Sequence, residues 1–429
     1  MKSKLEKLLF RKIELWIVFA IVILLLCAAV WFGYVAQKRA KGSQTGGELG
    51  TIVSNIADFP DMILNALDQF GDTKGGRVVA LDSEVGSRLN SFEGLENVPG
   101  YIASRADGNN GKYYQLNKLS TGQPMMRWPY PSGSIPAAIS FFDNTLILKD
   151  TGGFEDATES IAKLDTSGNE VWTMKISAHH AIHVDTFGRI FTPVAMPNHP
   201  NNEFVAGYRD DGYAILSSDG EIKEIQSVTD ILMNNGLGYL IYGVGAIETD
   251  AIHLNSVKPA ETSTQYWQKD DLLMSSRHLS TVFLYRPKTG KVVWHKTGPW
   301  LNQHDPDFMG THKISVFGND VVSTYENRIS KDALLFDDAN EIYVYDFITD
   351  SVSTPYRSFM AEIGLSTITG GLHTILSDGS LFVYFSNQGL GSLYNNNKST
   401  THYFGVTAGQ HKISVGAAPM VYEAGLTEN

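Results

Sequence analysis

The chain has 429 residues, 40 of them glycine, with 11% aromatic and 19% charged residues and a formal net charge of −12 at pH 7. Such a composition suits a globular β-rich protein, and the length allows one large domain plus an appendage. The acidic balance argues against nucleic acid or anionic lipid as the main partner of the soluble part, and the single cysteine, Cys27, excludes an intramolecular disulfide framework.

The first element is LWIVFAIVILLLCAAVWFGYV, residues 15–35, a run of 21 residues without a charge. As a helix it spans about 30 Å of hydrocarbon. Trp16, Trp31 and Tyr34 lie near its ends, where aromatic belts form. Lys2, Lys4, Lys7, Arg11 and Lys12 precede it, and Lys38, Arg39 and Lys41 follow. This bias predicts a single-pass anchor in the inner (cytoplasmic) membrane. Residues 1–14 are then a cytoplasmic tail, and the large C-terminal part lies in the periplasm or extracellular space. A cleaved signal peptide is the competing expectation. Against it stand the length of the apolar run, the lack of a small-x-small site after it, and Leu26 where a lipoprotein site wants a small residue.

Residues 36–97 are expected to form a linker and a stalk. AKGSQTGGELG (40–50) reads as flexible linker. IADFPDMILNALDQF (56–70) carries apolar residues at helical spacing, with Asp58 and Pro60 as a start signal, and predicts a short stalk helix.

From about residue 98 helical periodicity gives way to short β runs such as TLILKD, YAILSS, TVFLYRP, EIYVYDF and SLFVYF. Tight-turn signals recur at Gly122, Gly168, Gly220, Gly290, Asp350 and Asn397, separated by 46, 52, 70, 60 and 47 residues. Units of a few strands repeating at this interval mark a β-propeller. Six signals predict six blades over residues 98–425, and the interval of 70 predicts an insertion around residues 235–270. Trp128, Trp172 and Trp294 recur at blade ends, where tryptophan packs between blades and implies no cofactor.

In a propeller the innermost strand of each blade lines the axis, so residues where those strands begin converge. After four consecutive turns the chain places His180, His253, His304 and His373 at a similar phase. His179 precedes His180, and strand alternation lets only one of the two face the channel. Converging imidazoles suit a metal, a structural network, or an oxyanion site with proton transfer. Arg277 and Asn255 nearby favour the anion, because a guanidinium fork matches a tetrahedral oxyanion and repels a cation; no metal is expected. Asp305, beside His304, is read as a turn cap. Tyr266, Trp267, Trp300 and Phe308 fall near this region and suit either stacking on an aryl ring or packing at the rim.

Several stretches resemble the bacterial arylsulfotransferase family of β-propeller enzymes. They are DLLMSSRHLSTVFLYRPKTGKVVWHK (271–296), QHDPDFMGTHKISVFGND (303–320), HHAIHVDTFGRIF (179–191), HLNS (253–256) and GGLHTILSDGSLFVYFSNQGLGSLYN (370–395). The likeness covers about residues 98–420, with the motifs in the family's order. Two departures stand out: Ala181 occupies an expected acidic position, and VFGND (316–320) only approximates a Phe-Asp-Asn-Gly ending.

The resemblance implies transfer of a sulfuryl group from an aryl sulfate donor to a phenolic acceptor, by a ping-pong route through a sulfohistidine, with no cofactor. His304 is then the nucleophile. His253, Asn255 and Arg277 hold the sulfuryl oxygens, His180 acts as general acid or base, and His179 and His373 complete the substrate site. The partners implied are these small molecules and the membrane through the N-terminal helix; no nucleic acid is expected, and a homo-oligomer is compatible with the sequence. The alternative is a non-catalytic, envelope-anchored propeller that binds or scaffolds a partner, which needs no converging ionisable cluster.

Overall fold

The computed structural model describes residues 15–40, 45–50, 52–53, 56, 78–80, 89–108, 111–129, 136–150, 160–196, 208–245, 247, 249–322, 334–335, 339–405, 412–414 and 420–422. Its N-terminal unit contains the helix Leu15–Ala40, in which Ile17–Ala36 is apolar and long enough to cross a membrane. Val18, Phe19, Leu24, Leu25 and Val30 are exposed along it. Within the stretch read as linker, residues 47–50 are helical. The stalk segment 56–70 lies outside the described residues apart from Ile56.

The second unit is a six-bladed β-propeller, with six four-stranded antiparallel sheets among the described residues. Blade one joins the two ends of the domain: its inner strand Met420–Tyr422 pairs with Tyr101–Gly108, which continues to Gly111–Lys118 and Pro124–Pro129. Blade two comprises Pro136–Phe142, Thr145–Asp150, Ser160–Leu164 and Glu170–Lys175. In blade three His183–Val184, Ile190–Met196, Asp210–Leu216 and Ile222–Ser227 follow in order. Blade four holds Leu254–Pro259, Leu272–Ser276, Thr281–Arg286 and Lys291–Thr297. Blade five is His304–Met309, Lys313–Gly318, Glu341–Asp346 and Ser351–Ser353, and blade six is Leu372–Ile375, Leu381–Phe385, Leu390–Asn395 and Thr400–Gly405.

Position within a blade sets the residue pattern. Thr281–Arg286 and Leu381–Phe385 lie mid-blade, covered on both faces by neighbouring blades, and are buried almost throughout. Such strands need continuous apolar runs. Outer strands have one wet face, so Lys291–Thr297 alternates exposed and partly covered residues along its length.

Every turn signal maps to the outer hairpin, between third and fourth strands. Gly122, Gly168, Gly220, Gly290 and Asp350 all take positive φ there; in blade six Ser399 does so in place of Asn397. Three of these glycines, Gly122, Gly168 and Gly220, also lack room for a side chain. A Cβ on Gly220 would lie 2.8 Å from the Trp172 ring of blade two, and one on Gly168 would strike the Pro129 carbonyl of blade one. The outer hairpin thus docks onto the preceding blade, and Trp172 Nε1 closes the joint by donating to Ser218 O at 3.1 Å. Trp128 of blade one also reaches the next blade, donating to Asn144 O at 3.0 Å in the turn between the first two strands of blade two.

Two segments account for the long interval before Gly290. The first, between Ser227 and Leu254, contains the helix Val228–Asn234, N-capped by Ser227, and the single turn Tyr239–Tyr242. The second is the loop from Ala260 to Asp271. Blade five carries a further excursion in which Val321–Val322 pairs with Leu334–Leu335, a feature the turn spacing does not reveal.

Candidate active site

The polypeptide delivers three histidines to one place from three successive blades. His253 immediately precedes the inner strand of blade four, His180 stands three residues before that of blade three, and both adopt left-handed backbone, with φ of 49° and 57° respectively. His304 opens the inner strand of blade five, opposite Phe317, just before a bulge where Asp305 takes φ of 47°. The ring centroids of His180 and His253 are 4.8 Å apart, and those of His180 and His304 are 6.2 Å apart.

His304 is buried and oriented by Asn319. Its Nδ1 lies 2.6 Å from Asn319 Oδ1. The amide of Asn319 donates to Gly370 O at 2.7 Å and Thr367 O at 3.1 Å, so its oxygen is the atom facing the ring. An amide oxygen only accepts, which makes Nδ1 of His304 the protonated nitrogen and leaves the lone pair on Nε2. Asn340 supports this arrangement by donating to Asn319 O and Thr367 O, at 2.8 and 2.9 Å. Burial, and then the positive charge of Arg277, push the His304 imidazole down to about 3, so the ring is neutral at ordinary pH.

The approach to His304 is fixed from blade four. Asn255 donates through Nδ2 to Gln303 O at 2.7 Å, and the Gln303 amide donates to Ser275 Oγ, Ser276 O and Thr281 O at 3.0 to 3.1 Å. Asn255 therefore contacts the backbone that carries His304. Arg277 is cross-strand to His253, donating its backbone N–H to the His253 carbonyl at 3.0 Å, while Nη2 reaches Ile368 O at 3.4 Å.

Both members of the HH pair belong to the cluster. Alternation does not separate them, because His180 is left-handed and the strand begins only at His183. His179 Nδ1 lies 2.7 Å from His180 Nδ1, and His180 Nε2 lies 3.1 Å from His253 Nε2. His253 Nδ1 lies 2.6 Å from Asp250 Oδ2. At the other end His179 Nε2 is 3.2 Å from Asp211 Oδ1, an ion-pair distance without hydrogen-bond geometry. Burial first, then the neighbouring rings of His179, His253 and His304 and the guanidinium of Arg209, hold His180 well below the usual imidazole range.

His373 occupies a different setting. Its Nε2 lies 2.8 Å from Ser315 Oγ, its backbone N–H donates to Asp305 Oδ2 at 2.8 Å, and its Nδ1 is 3.4 Å from that carboxylate. It ties blade six to blade five, and Asp305 serves this joint. Tyr266, Trp267 and Phe308 pack with Phe347 between blades four and five, and Trp300 is fully buried in the same core. These rings are packing.

Asn319, Asp250 and Asp211 are the polar partners that the histidine pattern does not disclose. Asn319 lies in VFGND, Asp250 three residues before His253, and Asp211 at the start of a third strand. Asp250, His253 and His278 also bring ligand atoms within 4.8 Å of one another, the one such group among the described residues. His253 Nδ1 already bonds the Asp250 carboxylate and His278 Nδ1 its carbonyl, while the charges of Arg209 and Arg277 act on the same groups.

Among solved structures, the chain has distant similarity to a protein of unknown function from Bacteroides caccae, at 10% identity and a TM-score of 0.40, over 75% of this chain and 99% of that one. A nidogen/laminin complex gives 8% identity and a TM-score of 0.43, over 76% of this chain and 99% of that one. No curated protein matches significantly. The family model for arylsulfotransferase (ASST) matches residues 141–405, which spans more than half the chain and includes His179, His180, His253, Arg277, His304 and His373. The chain belongs to the arylsulfotransferase family.

Proposed function

We propose that this protein transfers a sulfuryl group from an aryl sulfate ester to a phenolic acceptor, through a sulfohistidine on His304. The observation that carries this reading is the bond from His304 Nδ1 to Asn319 Oδ1, which leaves Nε2 unprotonated as a nucleophile within reach of the Arg277 charge. In the first half-reaction Nε2 attacks sulfur while the bond from sulfur to the aryl oxygen breaks. Arg277 and the imidazole N–H groups stabilise charge on the non-bridging oxygens. The departing oxygen takes a proton from the paired rings of His180 and His253. In the second half-reaction a phenol attacks the sulfuryl group, returns that proton and restores His304. Asn255 acts by holding Gln303, and so places the nucleophile.

The apolar helix is read as an uncleaved anchor, with residues 1–14 in the cytoplasm and the propeller in the periplasm or extracellular space. N-terminal sequencing of the mature protein beginning near residue 40 would show cleavage instead.

The test of the chemistry is incubation of the detergent-solubilised full chain with a chromogenic aryl sulfate, with and without phenol. The expected result is ping-pong kinetics and a mass increase of about 80 Da on the peptide holding Gln303, His304 and Asp305, trapped at neutral or alkaline pH. His304→Ala abolishes the adduct. Sequential kinetics with no adduct on any histidine would overturn the covalent route.

A further inference from the structure

Three hydrogen bonds link Asp250, His253, His180 and His179 in a row, through Oδ2 to Nδ1, Nε2 to Nε2, and Nδ1 to Nδ1. Each neutral imidazole carries one N–H, so three rings fill these three junctions if every donor points the same way along the row. His253 then donates to Asp250, His180 to His253, and His179 to His180. In that state Nε2 of His253 is a bare acceptor. It gains a proton for a leaving group only as an imidazolium, and its Nδ1–H then remains on the Asp250 carboxylate.

The two candidate acids differ in what surrounds them. His180 bonds only to other rings, and burial together with cationic neighbours disfavours its charged form. His253 is the ring with a carboxylate on its second nitrogen. Burial opposes ionisation of Asp250, but the hydrogen bond and charge of His253, with Arg209 and His278, hold its carboxyl below the usual range, so it is an anion. Its side chain is 26% exposed, against 0% for Asp211 at the far end of the row, so protons from solvent enter here.

We propose that Asp250 is a positioning residue that fixes His253 as the general acid of sulfuryl transfer. The proposal rests on the reading of His304 as the nucleophile. In the first half-reaction the bond between His304 Nε2 and sulfur forms and the bond from sulfur to the aryl oxygen breaks. The electron pair of that bond goes to the aryl oxygen, which takes the Nε2 proton of the His253 imidazolium. Phenol leaves, and His253 stays neutral with Nδ1–H on Asp250. The acceptor phenol reverses each transfer, so protons balance over the cycle. The arrangement follows the logic by which a carboxylate orients an imidazole and stabilises its cation in hydrolytic triads.

The experiment compares wild type, Asp250→Asn and His253→Gln on a series of aryl sulfates whose leaving phenols range from weakly to strongly acidic. A phenoxide that leaves readily needs no proton, so loss of the acid should depend on the donor. Asp250→Asn is expected to slow transfer by about 100-fold or more from donors with weakly acidic phenols, with a loss below about 10-fold for strongly acidic ones. The variant combining Asp250→Asn with His253→Gln should be no slower than His253→Gln alone. Asp250→Glu, which keeps the carboxylate, should recover much of the rate on weakly acidic donors and covers the case in which the asparagine variant does not fold. An equal loss across the donor series, or additive losses in the combined variant, would overturn the proposal by reducing Asp250 to a structural role. Absence of sulfuryl transfer in wild type would instead defeat the underlying reading, and the proposal with it.

Discussion

Asn319 Oδ1 lies 2.6 Å from His304 Nδ1 and cannot turn, because its amide nitrogen is bound by the Thr367 and Gly370 carbonyls. The side chain that selects the tautomer of His304 is itself locked by the loop entering blade six. Replacing Asn319 by alanine should leave the propeller folded but allow the ring to rotate and exchange tautomers. Loss of an orienting partner of this kind typically costs roughly 10- to 100-fold. The expected change is a fall in kcat and in the rate of the phenol burst, measured by stopped flow with a chromogenic donor. An unchanged burst rate would mean that packing alone holds the ring.

Arg277→Lys keeps the charge but loses the planar fork that holds two oxygens at once. Removing one preorganised donor from a developing anion typically lowers turnover by about 100- to 1000-fold. Circular dichroism should be unchanged, since the backbone N–H of residue 277 still reaches the His253 carbonyl. Turnover of aryl sulfates at the wild-type rate would make Arg277 a structural residue.

The sequence discloses those parts of the fold that backbone geometry makes obligatory. Outer hairpins need a left-handed residue, so Gly122, Gly168, Gly220, Gly290 and Asp350 mark the blades, whereas in blade six the role passes to Ser399 within a run of polar residues. The same geometry explains the histidine phase. In blades three and four the left-handed residue before the inner strand is His180 or His253 itself; in blade six it is Gly371, which places His373 within the strand and on Ser315. Asp250 and Asn319 escape a search by repeat. One ends an insertion unique to the interval before blade four, and the other follows a second strand, so neither recurs with the blade period.

His373→Gln should therefore separate packing from chemistry. The ring is buried and bonds to Ser315 and Asp305 across the joint between blades five and six. Leaving buried polar partners imperfectly satisfied costs about 1–3 kcal/mol. A lower denaturation midpoint with the donor burst intact is expected. Loss of the burst in a variant as stable as wild type would bring His373 into the substrate site.

Stability should fall as the solution is acidified from pH 7 toward pH 5. Burial, then the Arg277 charge, hold His304 near 3; burial, then Lys258, hold His183 near 4; burial also lowers His180 and His278. In the unfolded chain each ring titrates near about 6.5. Between these values the unfolded state binds protons that the folded state refuses, so the stability contributed by the neutral rings is complete above about 6.5 and is lost as pH falls toward their folded values. Each ring contributes a slope of at most about 1.4 kcal/mol per pH unit in this window. The depressed carboxyl of Asp305, near 2, acts lower, since its stabilisation is lost only as pH falls below about 4. Urea midpoints measured at half-unit steps from pH 7.5 to 5 should show the loss beginning near 6.5, before any carboxylate titrates. Replacing His183 by glutamine, which keeps a donor toward Ser256 without a titrating ring, should make that slope shallower. A flat stability between pH 7 and 5 would mean that the axial histidines accept protons in the folded state, and the neutral His304 required of a nucleophile would then be lost in the same range.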